Sequence, residues 1–501
     1  MASRVRAQEI CSPVMDGTLH LNVRALDRAR MSRDARFDGK FFIAVTSTRI
    51  YCRPICPSPH AKRANVRYFP SAASAAAAGY RPCLRCRPEA APGTAAWMGT
   101  SAVVRRALRL IDDGFLDHDS VDELAARLGI GARHLHRLFV RHVGAPAVAV
   151  AQTRRLHFAK HLIDETELPI TDVAFAAGFQ SIRRFNSAFQ ETFRRSPRDL
   201  RRQRSGEAAR NEDEVRLKLA YRPPYDWAQV RDFLAARALP GVEVVEDACT
   251  RTVSCGKTHA TITVRPIEGE HALELRVRGA TPADLLQISS IARRAFDVSA
   301  DPALINAAFR ADPVLGHCVQ QRPGLRIVGA WSLFECAVRA IVGQQVSVAG
   351  ARTLLTRLIE RAGRRISTGV PGLAHLFPSP RHLAAADLNG IGLTEMRKTA
   401  LRALSHAILT GTLNAGASAE TVCAEMAALP GIGEWTAQYV ALRALGEPDA
   451  FPSSDLVLRK MSAQGSLALS NTALETKAEA WRPWRGYAAM HLWRAASRSN
   501  V

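Results

Sequence analysis

Apolar residues recur three and four positions apart from residue 100 to 203, and again from about 283 almost to the end of the 501-residue chain, a spacing that predicts helices. Between these tracts residues 242 to 278 alternate apolar and polar, as in TITVRPIEGEHALELRV, and predict strands. The first 90 residues hold neither period for long, and turn-forming residues gather there around four cysteines. EAAPGTAA at 89–96 and QRSGEAARNED at 203–213 lack apolar periodicity and read as linkers. The chain is long enough for at least three domains with cores of their own, and the two breaks, with the change from strand to helix period near 283, divide it into 20–90, 100–203, 214–285 and 286–498.

The tract from 100 to 203 repeats one plan. SVDELAARLGIGARHLHRLFVRHVG reads as a helix, a turn at Gly129 and a second helix bearing Arg133, His134, His136, Arg137 and Arg141. ITDVAFAAGFQSIRRFNSAFQETFRRSPRDLRR does the same around Gly178, with Gln180, Ser181, Arg183 and Arg184 opening its second helix. A turn glycine followed by a polar, basic helix start suits entry into the major groove, and an ordinary helical hairpin is the competing reading.

Charge changes the picture. Lys and Arg exceed Asp and Glu by 68 − 46 = +22, and the excess is uneven: 34 − 18 = +16 over residues 1–204 against 34 − 28 = +6 over the rest. A polyanion is the expected partner, nucleic acid first, with the front half supplying most of the phosphate attraction. The opening residues have no apolar run of signal-peptide length, and no later run is long enough to cross a bilayer, so a cytoplasmic protein with no membrane partner is expected. No glycine-rich phosphate loop ending in Lys-Ser/Thr is present, so no ATP requirement is expected.

Cys52, Cys56, Cys83 and Cys86 are spaced C-x3-C, a long loop, then C-x2-C. Each close pair can span one edge of a tetrahedron, the geometry of zinc; two disulfides or four packed thiols are the alternatives. Ten basic residues against two acidic between 36 and 90 give this site a phosphate-seeking surround. A zinc tetrathiolate carries net −2 and its sulfurs stay nucleophilic, so it can capture an electrophile delivered on the DNA backbone. Methylating one sulfur removes a negative charge beside the DNA and tightens binding.

Further along, ALPGIGEWTAQYVALRAL places Gly431 and Gly433 before a helix, and Asp455 follows twenty residues after Trp435. Exposed amides at a helix amino-terminus can seat a DNA phosphate, although a capped hairpin in any helical protein reads the same way. A lone aspartate before a helix is most often a cap, a role that can coexist with chemistry.

Three resemblances follow from these motifs. RDARFDGKFFIAV, IYCRPICP and NVRYFPSAASAAAAGYRPCLRCRP resemble the zinc domain of the Ada family, sensors of DNA methylphosphotriesters, over about residues 27–90. The resemblance implies Cys52 as methyl acceptor and Cys52, Cys56, Cys83 and Cys86 as Zn2+ ligands; Arg49 departs from a glycine usual in that family. Residues 100–203 resemble the DNA-binding domain of AraC-type activators, which implies promoter DNA and RNA polymerase as partners, with Arg183 and Arg184 at the DNA. AYRPPYDWAQVRDFLAARALPG, FECAVRAIVGQQVS, LPGIGEWTAQYVALRALG and RPWRGYAAMHLW resemble the AlkA-type 3-methyladenine glycosylases, helix-hairpin-helix enzymes, over nearly all of 216–494.

That last resemblance implies Asp455 as the catalytic acid and Phe233, Trp435, Tyr439 and Trp493 as aromatic lining of a base pocket. Such walls suit an N-alkylated purine, which is cationic and electron-poor. It also implies Gly431, Gly433 and Gln345 at the DNA, with Gln345 where a leucine wedge can stand and Leu456 replacing an aromatic. Trp435 stands where bifunctional relatives carry a Schiff-base lysine, so base excision without strand cleavage is expected. None of Cys249, Cys255, Cys318, Cys336 or Cys423 sits in a Pro-Cys-His acceptor motif, so reversal of O6-methylguanine is not expected.

The fold class expected is multidomain and mainly α: a small zinc-bound α/β domain, an all-α double helix-turn-helix, an α+β TBP-like subdomain and an all-α helix-hairpin-helix body. The function expected is a monomeric alkylation-response protein, a glycosylase for 3-methyladenine and related bases joined to a methyl-accepting activator. Competing readings are a regulator with a non-catalytic glycosylase body, and a glycosylase whose zinc module only anchors DNA.

Overall fold

A computed structural model of the protein describes residues 23–92, 102–202, 214–255, 258–414, 416–463 and 467–497. The whole 203–213 linker, half of the 89–96 linker (93–96) and the outermost residues of the expected domains (20–22, 100–101, 203 and 498) lie outside them.

The first unit is a four-stranded sheet, β1 (Phe42–Val45), β2 (Ile50–Cys52), β3 (Val66–Phe69) and β4 (Arg81–Pro82), in the order β3-β1-β2-β4. Its parallel β2–β4 pairing, with the Cys83 amide donating to the Tyr51 carbonyl at 2.9 Å, brings the second cysteine pair beside the first. The start of the expected 89–96 linker is not free chain. Residues Pro88–Ala90 form a 3-10 turn in which the Glu89 carboxylate is buried and pairs with Lys160 at 3.5 Å. Sequence periodicity reads such an acid as solvated; here a buried cation meets it.

Both helix-turn-helix units form. α1 (Ala102–Asp112) precedes the second helix of the first unit, α2 (Ala132–Val143), which buries Leu135, Phe139 and Val143 four residues apart and stops at left-handed Gly144. The long α3 (Ala147–Glu165) leads to that of the second unit, α4 (Ile182–Phe193), capped by Ser181 through the Arg184 amide. Phe185, Phe189 and Phe193 repeat every four residues with ring centroids 5.4 and 4.5 Å apart, each burial worth roughly 1.5–3 kcal/mol.

A five-stranded antiparallel sheet follows, β5 (Glu214–Ala220), β6 (Glu243–Val245), β7 (Cys249–Cys255), β8 (Thr258–Pro266) and β9 (Ala272–Arg278), ordered β5-β9-β8-β7-β6. β5 lies before the stretch in which the sequence predicts strands, and it pairs along its whole length with β9 from Glu214↔Arg278 to Ala220↔Ala272. The first helix-turn-helix unit keeps a core of its own. The second shares one with this sheet, as Phe185, Phe189 and Leu200 join Leu217, Ile262 and Leu275 in one buried cluster.

The rest is helical apart from a two-residue ladder, Arg364–Arg365 with His375–Leu376. Helices α5 (Leu333–Val342), α6 (Glu395–Leu409), α7 (Glu434–Arg443), α8 (Leu456–Met461) and α9 (Arg485–Ala496) enclose a core containing Ala337, Ile341, Leu401, Val440, Leu458 and Leu492. Among the described residues no helix is long and apolar enough to cross a membrane. His491 on α9 is buried edge-on to Phe309 at 6.3 Å, and burial pushes its imidazole down to about 4. The folded state therefore favours neutral His491, so its contribution is intact above about pH 6.5 and is lost as pH falls towards 4, about 3 kcal/mol in all. Urea denaturation at pH 7 and 4.5 should show this loss in the native chain and a flatter response in His491→Gln.

The units meet through buried charge. Lys40 pairs with Asp301 where their side chains are 5% and 3% exposed. Arg222, itself buried, donates to the Asp38 carbonyl at 2.8 Å and the Ser299 carbonyl at 2.6 Å, while Arg53 Nε holds the Asp38 carboxylate at 2.8 Å. Gly39 between them has φ +72°, and a Cβ there would stand 2.2 Å from the Pro92 carbonyl oxygen. At a second seam α1 meets the chain just past α7: Arg109 donates to the Leu445 carbonyl at 2.6 Å, and Arg105 pairs with Glu447 at 3.1 Å.

Candidate functional site

On α7 one face packs into the core through Ala437, Val440 and Ala441, which leaves Trp435, Tyr439 and Arg443, spaced by four, as a stripe on another face. That stripe lines a cavity of about 700 Å³ together with Phe233, Asp455 and Trp493. Trp435 and Tyr439 stack with centroids 5.1 Å apart and planes 10° apart, and Trp493 stands edge-on to Tyr439 at 6.2 Å.

Asp455 is held from three sides. Its Oδ1 accepts from the Leu458 amide at 2.9 Å and from Trp493 Nε1 at 3.1 Å, and its Oδ2 accepts from Trp435 Nε1 at 2.9 Å. It is thus the N-cap of α8 and also a carboxylate fixed against two pocket aromatics. Leu456 beside it is exposed.

Two guanidiniums went unnoticed in the sequence. Arg237 lies 3.9 Å and Arg443 4.4 Å from the Phe233 ring centroid, and Arg443 lies 5.3 Å from that of Tyr439. Arg443 also donates to the Tyr439 hydroxyl and, at 2.6 Å, to the Val328 carbonyl. Part of the aromatic cation-attracting surface is therefore engaged by the protein's own cations. The sequence signal for each is an arginine four positions after an aromatic, Arg237 after Phe233 and Arg443 after Tyr439.

The two hairpin glycines serve different needs. Gly431 has φ +74°, and a Cβ there would lie 3.1 Å from Ala400 Cβ on α6. Gly433 is extended, exposed and open around its Cβ position, and no side chain caps the start of α7. Glu434, exposed in that first turn, sets a negative charge near the positive helix end. Gln345 is exposed with φ +54°, in the loop between α5 and the helix Val348–Ala362. On α4, Arg183 and Arg184 are exposed in the first turn.

Away from this pocket the four cysteine sulfurs lie within 4.8 Å of one another, Cys52 half-buried and the other three buried. Zn–S bonds of 2.3 Å put tetrahedral sulfurs about 3.8 Å apart, so the donor set fits zinc. Hydrogen bonds within the cluster, that of Cys52 first, hold Cys56 low and bring Cys83 down to about 6, while Cys52 is pushed up, first by Cys56. Sulfurs this close share protons that a divalent cation replaces. The Arg53 amide donates to Cys86 Sγ at 3.3 Å.

Comparison with known proteins agrees with this division. The metal binding domain of Ada matches residues 25–89, a helix-turn-helix domain 124–203 and the AlkA N-terminal domain 216–332. The "DNA-3-methyladenine glycosylase 2" of Escherichia coli K12 is 35% identical over 281 residues, 55% of this chain and 95% of its own. The "Bifunctional transcriptional activator/DNA repair enzyme AdaA" of Bacillus subtilis 168 is 32% identical over 174 residues, 35% of this chain and 80% of its own. The "Probable bifunctional transcriptional activator/DNA repair enzyme AlkA" of Mycobacterium tuberculosis H37Rv is 41% identical over 481 residues, 95% of this chain and 97% of its own. A likeness of that extent, spanning cysteine cluster, helix-turn-helix units and aromatic pocket alike, means that the chain belongs to the family of bifunctional AlkA-type transcriptional activator and DNA repair enzymes.

Proposed function

We propose that the chain is a monofunctional DNA glycosylase for 3-methyladenine and related alkylated bases, joined to a sensor that takes methyl groups from DNA phosphotriesters and activates transcription. The observation carrying the enzyme half is the Asp455 carboxylate, clamped by Trp435 and Trp493 in the wall of an aromatic cavity. The hairpin at Gly431 and Gly433 seats a backbone phosphate and Gln345 fills the gap left in the stack, so the lesion turns out into the cavity. Phe233, Trp435, Tyr439 and Trp493 receive the base. As the N-glycosidic bond breaks, positive charge builds on the sugar; Asp455 stabilises it and orients the water whose oxygen bonds to C1′, while the base leaves with the bond electrons. With tryptophan at 435 no amine is present there to form a Schiff base, so the strand stays whole.

In the sensor the Cys52 thiolate attacks the methyl carbon, an S–C bond forms, the C–O bond breaks and a phosphodiester anion leaves. Bound zinc on Cys52, Cys56, Cys83 and Cys86 keeps these sulfurs as thiolates at neutral pH. Arg183 and Arg184 approach promoter DNA, and activation brings RNA polymerase to a monomeric, cytoplasmic protein. The working division is 20–90, 100–203, 214–285 and 286–498, with the last two forming the enzyme. Incubation with methylated duplex DNA should release free 3-methyladenine and leave strands that break only after alkali. Breakage without alkali would overturn the monofunctional reading, and absence of free base would overturn the enzyme.

A further inference from the structure

The loop that carries Gln345 and the hairpin that carries Gly431 are far apart in sequence, yet one side chain ties them. Gln344 Nε2 donates to the Gly431 carbonyl at 3.1 Å and to Thr436 Oγ1 at 3.1 Å, so both amide hydrogens are used. Its backbone is held as well: the amide donates to the Ile341 carbonyl at 3.3 Å, and its own carbonyl accepts from Arg397 on α6. α6 is also the helix against which Gly431 packs at Ala400 and Met396. The next residue, Gln345, sits in the left-handed region with its side chain in solvent, a conformation that persists when neighbours over-determine it.

We propose that Gln344 is a positioning residue that sets the register between the element entering the DNA stack and the element gripping the backbone. The inference rests on the glycosylase reading. Flipping a base requires the wedge to enter one step of the duplex while the phosphate is held at a fixed offset, so both contacts must be rigid relative to one another. A glutamine suits this because a carbonyl and a hydroxyl can both accept from its amide. Glutamate at the same place would set an acceptor against the Gly431 carbonyl, and methionine would fill the volume with no donor.

The test compares Gln344→Glu and Gln344→Met with the native chain on two duplexes, each with one N7-methylguanine, paired with cytosine or placed opposite an abasic site. Unpairing removes much of the cost of flipping. Single-turnover base release should fall about tenfold to hundredfold on the paired lesion and by less than about threefold on the unpaired one, with thermal midpoints lowered by no more than about 2–4 °C. Equal loss on both duplexes, or loss on neither, overturns the proposal while leaving the enzyme reading intact. If the native chain releases base from neither duplex, the enzyme reading fails and takes the proposal with it. Should the Gln344 variants not fold, Thr436→Val removes one of the two acceptors and carries the same comparison, with a smaller loss expected on the paired lesion only.

Discussion

Asp455→Asn is expected to lower base release from alkylated duplex DNA by about 10²–10³-fold, some 3–4 kcal/mol of transition-state stabilisation, without weakening DNA binding. Asparagine separates the two roles the carboxylate combines. Its side-chain oxygen can still accept from the Leu458 amide and so keeps the cap of α8, since Asn and Asp cap helices about equally well. What it removes is the negative charge facing the developing sugar cation. It also leaves Trp435 and Trp493, two N–H donors, facing one oxygen and one amino group, so one indole loses its acceptor. Free-base quantification after a single turnover, beside a gel-shift titration, checks both halves. Retention of more than about a tenth of the native rate would remove Asp455 from the chemistry.

The second large effect concerns Cys52. On exposure to DNA carrying methylphosphotriesters the native chain should gain the mass of one CH2 per molecule, and Cys52→Ala should gain none while still releasing bases from alkylated duplex. The other three sulfurs are buried and Cys52 is half-buried, so a single acceptor is expected even though all four sulfurs belong to one cluster. Methylation also takes the cluster from net −2 to −1. The salt dependence of promoter binding should then steepen by about one unit in the slope of log K against log salt. A mass gain in Cys52→Ala would place the acceptor elsewhere, and an unchanged slope would uncouple methylation from DNA affinity.

Much of this site could be read from the chain because its features are local. Cys52 and Cys56 declare themselves by spacing, as do Cys83 and Cys86, and the LPGIG turn with its downstream acid needs no contact map to be noticed. The rest depends on chain segments meeting. Gln344 reaches partners 87 and 92 residues away, and nothing in VGQQVS distinguishes it from its neighbour. β5 stayed hidden because a short strand beside a charged linker acquires its meaning only from β9. Lys40, Arg222 and Asp301 look like solvated surface charge in sequence, and only the packed chain shows them buried. The shared core of the second helix-turn-helix unit and the five-stranded sheet is hidden for the same reason, since apolar periodicity tells which face is buried and not what covers it.

The Lys40–Asp301 and Arg222–Asp38 seam has an evolutionary consequence. A glycosylase body that lives alone has no Lys40 to set against the buried acid at 301, and its Arg222 keeps the Ser299 carbonyl but loses that of Asp38; a buried charge short of its partner is among the costliest features a core can hold. With Lys40 and Asp301 paired across the seam, cutting the gene between the modules would strand one of these charges on each fragment. The fusion therefore works as a ratchet: separation of the parts needs compensating changes at these positions first, so the seam itself preserves the single chain.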